Sequence, residues 1–374
     1  MNKIKKMVRR NLVNARGPLL KRRYVIIESD DWGAIRQPSG AVLNAMRERG
    51  MKLEHDQYIR NDGLASAEDL QALYEVLNLV KGGSGKPAAI TANTIMANPD
   101  FERMEKEGLN RYRFEHFTDT LKRYPEHRRS FDLWKEGMDA GLFRPQFHGR
   151  EHLHVNRWLR GLEDPGSETA FLFKNRLYAL CSSASAEDRK SYMAAWEWDD
   201  ANDRDFTLAA IEEGLRMFEE TFGYHSLTAI APNYTWNAEM ERVMFRNGVK
   251  GLQGGVVQRA SRADGSGNTI VRHHTGQRNE LGQVYTVRNC RFEPSENPGK
   301  DWVGSCMKEI STAFRWRKPA IIESHRVNFI GYINPENRDR NLKLIRELLE
   351  NIVKTWPDVE FITSDRLCEI IVGE

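Results

Sequence analysis

"YVIIESDDWG", residues 24–33, decides the reading of this chain. Its first half is apolar and β-branched, as a buried strand is. It ends in two adjacent carboxylates, Asp30 and Asp31, followed by Trp32 and Gly33. Like charges that close repel, and neither sits at a strand tip without a partner. In barrels and open α/β sheets the chemistry lies at the C-terminal strand ends. The partner should therefore sit at the ends of other strands. Glu28 is expected to point away from that rim by strand alternation.

Further strands are predicted at 87–94, 142–147, 227–231, 251–255, 283–288, 319–323 and 359–362. Helical periodicity falls between them, at 67–80, 127–140, 301–315 and 336–353, with interruptions over 168–222. Ser364 caps a last helix. Strands alternating with helices give a mainly parallel α/β sheet, open or closed into a barrel. One domain over 24–374 is expected, with loop insertions near 153–200 and 255–300.

The strand ends are polar and titratable. After 142–147 comes "FHGREH", with His148 and His152. After 319–323 comes "SHRVNF", with His325, and after 227–231 comes "PNYTWN", with Tyr234 and Trp236. Two imidazoles four residues apart and one carboxylate are a common ligand set for a catalytic metal. One of the two acids can then bind a divalent cation while the other stays free as a base. His154 is a weaker alternative to His152. "HGREH" also fits H-x-x-E-H, an inverted zincin with Glu151 as base. That reading needs a helix through both histidines, which Pro145 and Gly149 disfavour.

Taken in order, "ESDDWG", "HGREH", "APNYTWN", "IIESHRV" and "VEFITSDRL" resemble the motifs of the polysaccharide deacetylases, the NodB-homology carbohydrate esterases. The resemblance covers residues 24–374. It implies a distorted (β/α) barrel of about seven strands and metal-dependent removal of an acetyl group from an N- or O-acetylated sugar or glycan. By this resemblance Asp30 is the general base and His325 the general acid. Asp31, His148 and His152 hold a divalent metal: zinc, with cobalt, nickel or iron as alternatives. Trp32, Arg150, Tyr234, Trp236, Arg288 and Asn289 are the candidates for substrate contact. The family's arginine near the base has no match in "IAPNYTWN"; Arg36, Arg150 and Arg326 are candidate replacements. A relative that binds glycans without catalysis is the reading left open by that gap.

Composition narrows the setting. The net charge is +3, but residues 1–23 carry nine basic residues and no acid, which leaves the rest at −6. Ile4, Val8 and Leu12 recur at helical spacing within that basic segment. Such a segment suits peripheral contact with an anionic membrane surface, or a solvated helix on the body. No later basic patch with interleaved aromatics points to nucleic acid. Cys181, Cys290, Cys306 and Cys368 are scattered, as reduced thiols are. With no secretory signal pattern and no long apolar run, the chain reads as cytoplasmic, peripheral at most on the inner membrane face.

Overall fold

The structure, a computed structural model, describes residues 3–54, 56–180, 182–183, 190–262 and 264–373. Cys181 lies outside the described residues, while Cys290, Cys306 and Cys368 are free and buried.

The strands follow one another as β1 (Tyr24–Trp32), β2 (Ile90–Thr94), β3 (Ala97–Pro99), β4 (Phe114–His116), β5 (Phe143–Phe147), β6 (Thr228–Ile230) and β7 (Gly251–Gly254). Then come β8 (Val257–Ser261), β9 (Asn268–Arg272), β10 (Val284–Val287), β11 (Cys290–Arg291), β12 (Ala320–His325) and β13 (Glu360–Phe361). The main sheet runs β10-β7-β6-β5-β2-β1-β12-β11, with β13 added to β1, and its ladders are parallel. The two ends of that order meet through the backbone between β10 and β11. Arg288 N–H still bonds Gly254 O, the last residue of β7, while Asn289 N–H bonds Ile321 O of β12. The chain thus crosses from β7 to β12 within two residues, and the ring closes there. With β10–β11 as one stave, the ring has seven staves, in line with the barrel of about seven strands that the resemblance implies.

β1 runs through the middle of this sheet, flanked by β2 and β12. It is buried from Val25 to Trp32, which accounts for its unbroken apolar run. Val25, Ile27, Ile90 and Ile322 share one core with side chains from the surrounding helices. Helix Ala67–Leu79 starts with a capping box between Ser66 and Asp69 and buries Leu70, Leu73, Tyr74 and Leu77. It packs on the helices Ser130–Asp139 and Pro335–Thr355.

The expected helical stretch over 168–222 divides in two, Glu168–Lys174 and Ala201–Phe222. The described residues between them form no helix. Trp196 and Trp198 are buried there, and Asp199 is tied to Arg157 and Lys190. Side-chain anchoring replaces the backbone ladder in that stretch. Within 255–300, β8 and β9 form an antiparallel hairpin that the sequence reading left irregular.

Candidate active site

β1 carries both acids to the rim. A regular strand sends neighbouring side chains to opposite faces. Here the pairing of β1 with β2 shifts register between Ser29 and Trp32, and Asp31 takes a left-handed backbone, φ 72°. The bulge lets Asp30 line the cleft while Asp31 meets His148 and His152, which line it too. Gly33 follows at φ 85°, where a Cβ would run into the carbonyl oxygen of Ile95.

The two acids have separate partners. Arg288 donates to both oxygens of Asp30, Nη1 to Oδ2 at 2.7 Å and Nη2 to Oδ1 at 2.6 Å. Asn93 Nδ2 adds a third bond to Oδ1 at 2.7 Å. Burial pushes the Asp30 carboxyl up. The Arg288 charge and hydrogen bonds outweigh burial and hold it well below the usual carboxylate range. Arg288 Nε also donates to Glu28 Oε2 at 2.7 Å, and Ser364 Oγ to Glu28 Oε1 at 2.7 Å. Glu28 is fully buried and absent from the cleft walls, in keeping with the expectation that it points away from the rim, yet it shares Arg288 with Asp30. Residues two apart share a face, and one guanidinium spans the two carboxylates.

Arg288 is thus the arginine beside the expected base. It comes from the strand end after β10 and not from the 231–237 loop. Of the proposed replacements, Arg36 pairs with Asp31, Arg150 with Glu151 and Glu213, and Arg326 with Asp62.

Asp31 Oδ2 accepts from Arg36 Nη2 at 3.0 Å. Its Oδ1 faces His148 Nε2 at 3.5 Å and His152 Nε2 at 3.7 Å. His148 Nδ1 bonds the carbonyl of Ile230 at 3.0 Å, which turns Nε2 toward Asp31. Burial pushes His152 down to about 3, so its ring is neutral at pH 7. Its buried Nδ1 has no hydrogen-bond partner. Donor atoms of the three residues all lie within 4.8 Å of one another. Metal–donor bonds of about 2.1 Å in a tetrahedron place donors about 3.4 Å apart, close to the spacings seen. Two buried imidazoles with nitrogens turned to one carboxylate oxygen fit a divalent cation. Arg36 occupies the other oxygen, which favours one-oxygen ligation by Asp31.

His325 arrives on β12, whose register sets it opposite Asp30. Its Nε2 is 3.8 Å from Asp30 Oδ2. Its Nδ1 donates to Glu293 Oε1 at 2.6 Å, and Asn328 Nδ2 holds the other Glu293 oxygen at 2.8 Å. Burial works against the charged ring, but the adjacent Glu293 carboxylate raises it to about 10. The imidazolium therefore persists through neutral pH. Glu293→Gln should bring the alkaline limb of the pH–rate profile down from about 10 toward the ordinary value of about 6.5. An unmoved limb would separate Glu293 from the acid.

A cleft of about 380 Å³ has walls that include Asp30, His148, His152, Tyr234, Arg259 and His325. Tyr234 is where substrate contact was expected. Asn233 and Tyr234 both take left-handed backbones, φ 53° and 54°, and the Tyr234 hydroxyl meets Arg288 Nη1 and Glu323. The other five candidates are not among the residues lining the cleft. Trp32 is fully buried, edge-on to Phe143 and Trp134. Trp236 is buried, with its Nε1 on Glu241. Arg150 is buried in its carboxylate pairs under Phe114 and Phe206. Arg288 spends its guanidinium on Asp30 and Glu28. Asn289 holds Asn14 and Pro319. The sequence reading drew these candidates from the right loops but could not tell inward packing from cleft exposure.

Residues 148–154 form no helix, and Glu151 binds the Arg150 guanidinium with both oxygens. The inverted-zincin arrangement is therefore not present. His154 faces Asp199 and Asp203 instead of Asp31. Asp199 is already paired with Arg157, Arg160 and Lys190, so a cation would meet three positive charges there. A larger hollow of about 530 Å³, walled by Leu109, Asn156, Arg160 and Asp200, is lined by none of the cleft residues.

No family model matches the chain, and no curated protein matches it. Solved structures similar to it include a protein from Parabacteroides distasonis assigned as a glycoside hydrolase/deacetylase. Their identity is 8%, the TM-score is 0.48, and the match covers 94% of this chain and 72% of that one. A protein from Mycobacterium smegmatis assigned as a polysaccharide deacetylase matches at 10% identity and TM-score 0.42, over 96% and 94% of the two chains. A 4-alpha-glucanotransferase from Thermococcus litoralis matches at 10% identity and TM-score 0.43, over 94% of this chain. The chain spans only 40% of the length of that glucanotransferase. With every one of these overlaps below a TM-score of 0.5, the functional reading rests on the residues of the cleft.

Proposed function

We propose that this protein is a metal-dependent deacetylase acting on an N- or O-acetylated sugar or glycan. One observation carries the reading. A carboxylate held ionised and an imidazolium held protonated, 3.8 Å apart, line one cleft with His148 and His152, and buried Asp31 lies against those two rings. A base, an acid and an open cation site are the parts that amide or ester hydrolysis without a covalent nucleophile needs.

Asp31, His148 and His152 would hold the cation. Zinc suits two imidazoles and one carboxylate, and cobalt, nickel and iron accept the same set. Such a cation supplies Lewis acidity toward an acetyl carbonyl and eases deprotonation of water. Asp30 takes up the water proton. Arg288 and Asn93 fix its rotamer and keep it ionised, at some loss of basicity. His325 gives a proton from Nε2 to the departing nitrogen or oxygen, while Glu293 steadies the ring from Nδ1. Tyr234 and Arg259 on the wall are the side chains placed to meet sugar hydroxyls or a charged substituent.

Arg288 beside Asp30 supplies the arginine whose absence would have permitted a non-catalytic relative, which supports the catalytic reading. Among the described residues no helix is long and apolar enough to cross a membrane. The free thiols suit a reducing, cytoplasmic setting.

The test is acetate release from acetylated amino sugars and glycans by the metal-loaded protein. Chelation should abolish release and added zinc should restore it. A metal-loaded protein that releases no acetate from any such substrate would sink the reading.

A further inference from the structure

We propose that the N-terminal helix, Lys3–Asn14, seats the protein on an anionic lipid surface. An amphipathic helix ordinarily turns its apolar row to the core. Here the row faces outward: Ile4 is 63% exposed, Met7 57%, Val8 46% and Leu12 68%. The helix is nevertheless anchored, and by its polar side. Asn14 is buried and accepts from Asn289 Nδ2 at 2.8 Å. Asn11 accepts from Trp316 Nε1 at 2.9 Å, and Arg10 lies 3.6 Å from Glu309. The body thus grips Arg10, Asn11 and Asn14 and presents Ile4, Val8 and Leu12 to the outside.

The charge around that row fixes the partner's sign. Lys5, Lys6 and Arg9 are exposed on the same helix, and residues 1–23 contain no acid. Arg315 and Arg317 are exposed beside it, flanking the partly exposed Trp316. A single convex helix with apolar side chains between lysine and arginine, and tryptophan at its edge, matches the plane of an acidic headgroup layer. Twelve residues are too short to span the roughly 30 Å hydrocarbon core, so the helix lies in the interface.

Placement keeps the cleft open. Through Asn289 the helix is tied to Pro319, just ahead of β12, whereas His325 ends that strand. Six residues of strand separate them, roughly 20 Å. Lipid contact should therefore leave turnover of a soluble substrate unchanged.

The experiment is co-sedimentation of the full chain with vesicles of phosphatidylglycerol and phosphatidylcholine, and with phosphatidylcholine alone. Binding is expected to the mixed vesicles only, and to weaken with added salt. The double variant Val8→Asp/Leu12→Asp, and separately Lys5→Gln/Arg9→Gln, should each lower the bound fraction about tenfold or more. Sedimentation velocity should show the same oligomeric state for wild type and both variants, and circular dichroism an unchanged fold. Absent vesicle binding, equal binding to neutral vesicles, or binding indifferent to both variants would overturn the proposal. So would a dimer that Val8→Asp/Leu12→Asp dissociates, which would give the row to a second copy of the chain.

Discussion

Asp30→Asn should lower acetate release by roughly 10²–10⁴-fold, the range for loss of a general base, while the protein keeps its metal. The asparagine has the same shape and sits outside the donor set of Asp31, His148 and His152. It cannot take a proton from water. Its amide nitrogen would also face Arg288, which donates to both Asp30 oxygens in the wild type. Some loss of stability should accompany the loss of rate. Glu151→Gln is the control. Glu151 bonds Arg150 and lines no part of the cleft, so its variant should turn over substrate near the wild-type rate. The reverse pattern, with Glu151→Gln inactive and Asp30→Asn mild, would hand the chemistry to Glu151.

Arg288→Met should destabilise the fold by about 3–5 kcal/mol, the range for breaking a buried ion pair from one side. The side chain fits the same channel but leaves Glu28 and Asp30 facing each other in the barrel interior. The sign with pH follows from the two states of Asp30. In the wild type its carboxyl is held low by Arg288. It thus contributes stability above the unfolded value of about 3.9, lost as pH falls through the lower folded value. Without Arg288, burial and the repulsion between the two acids raise both, against the smaller pull of Asn93 and His325 on Asp30 and of Ser364 on Glu28. The variant should therefore lose stability as pH rises from about 4 toward 7, and its deficit against wild type should widen over that interval. Urea unfolding at three pH values would measure this. A constant deficit would mean that Arg288 acts through packing alone.

Much of the cleft was legible because strand ends converge on one rim. Asp30, Asp31, His148, His152 and His325 each follow an apolar run, and the parallel sheet brings them together whatever their separation in sequence. What was not legible depends on direction. Trp32 and Trp236 lie beside site residues, yet the pleat and the local turn point them into the core. Arg288 was noticed for its polar surroundings but assigned to substrate. Its true partners, Glu28 and Asp30, are about 260 residues away in sequence. A usable signal was present, since Arg288 ends a predicted strand and so stands at the rim where the other site residues gather. Glu293 meets His325 only where β11 lies alongside β12, a pairing that spacing in the sequence does not show. The outward-facing N-terminal helix could not be read from periodicity, which gives an apolar face but not which neighbour it meets.

The most direct measurement is an anomalous difference map at the zinc edge, from crystals of the zinc-loaded protein. A single strong peak among Asp31 Oδ1, His148 Nε2 and the His152 ring is the predicted result. No peak there, or a peak placed instead between His154, Asp199 and Asp203, would contradict it.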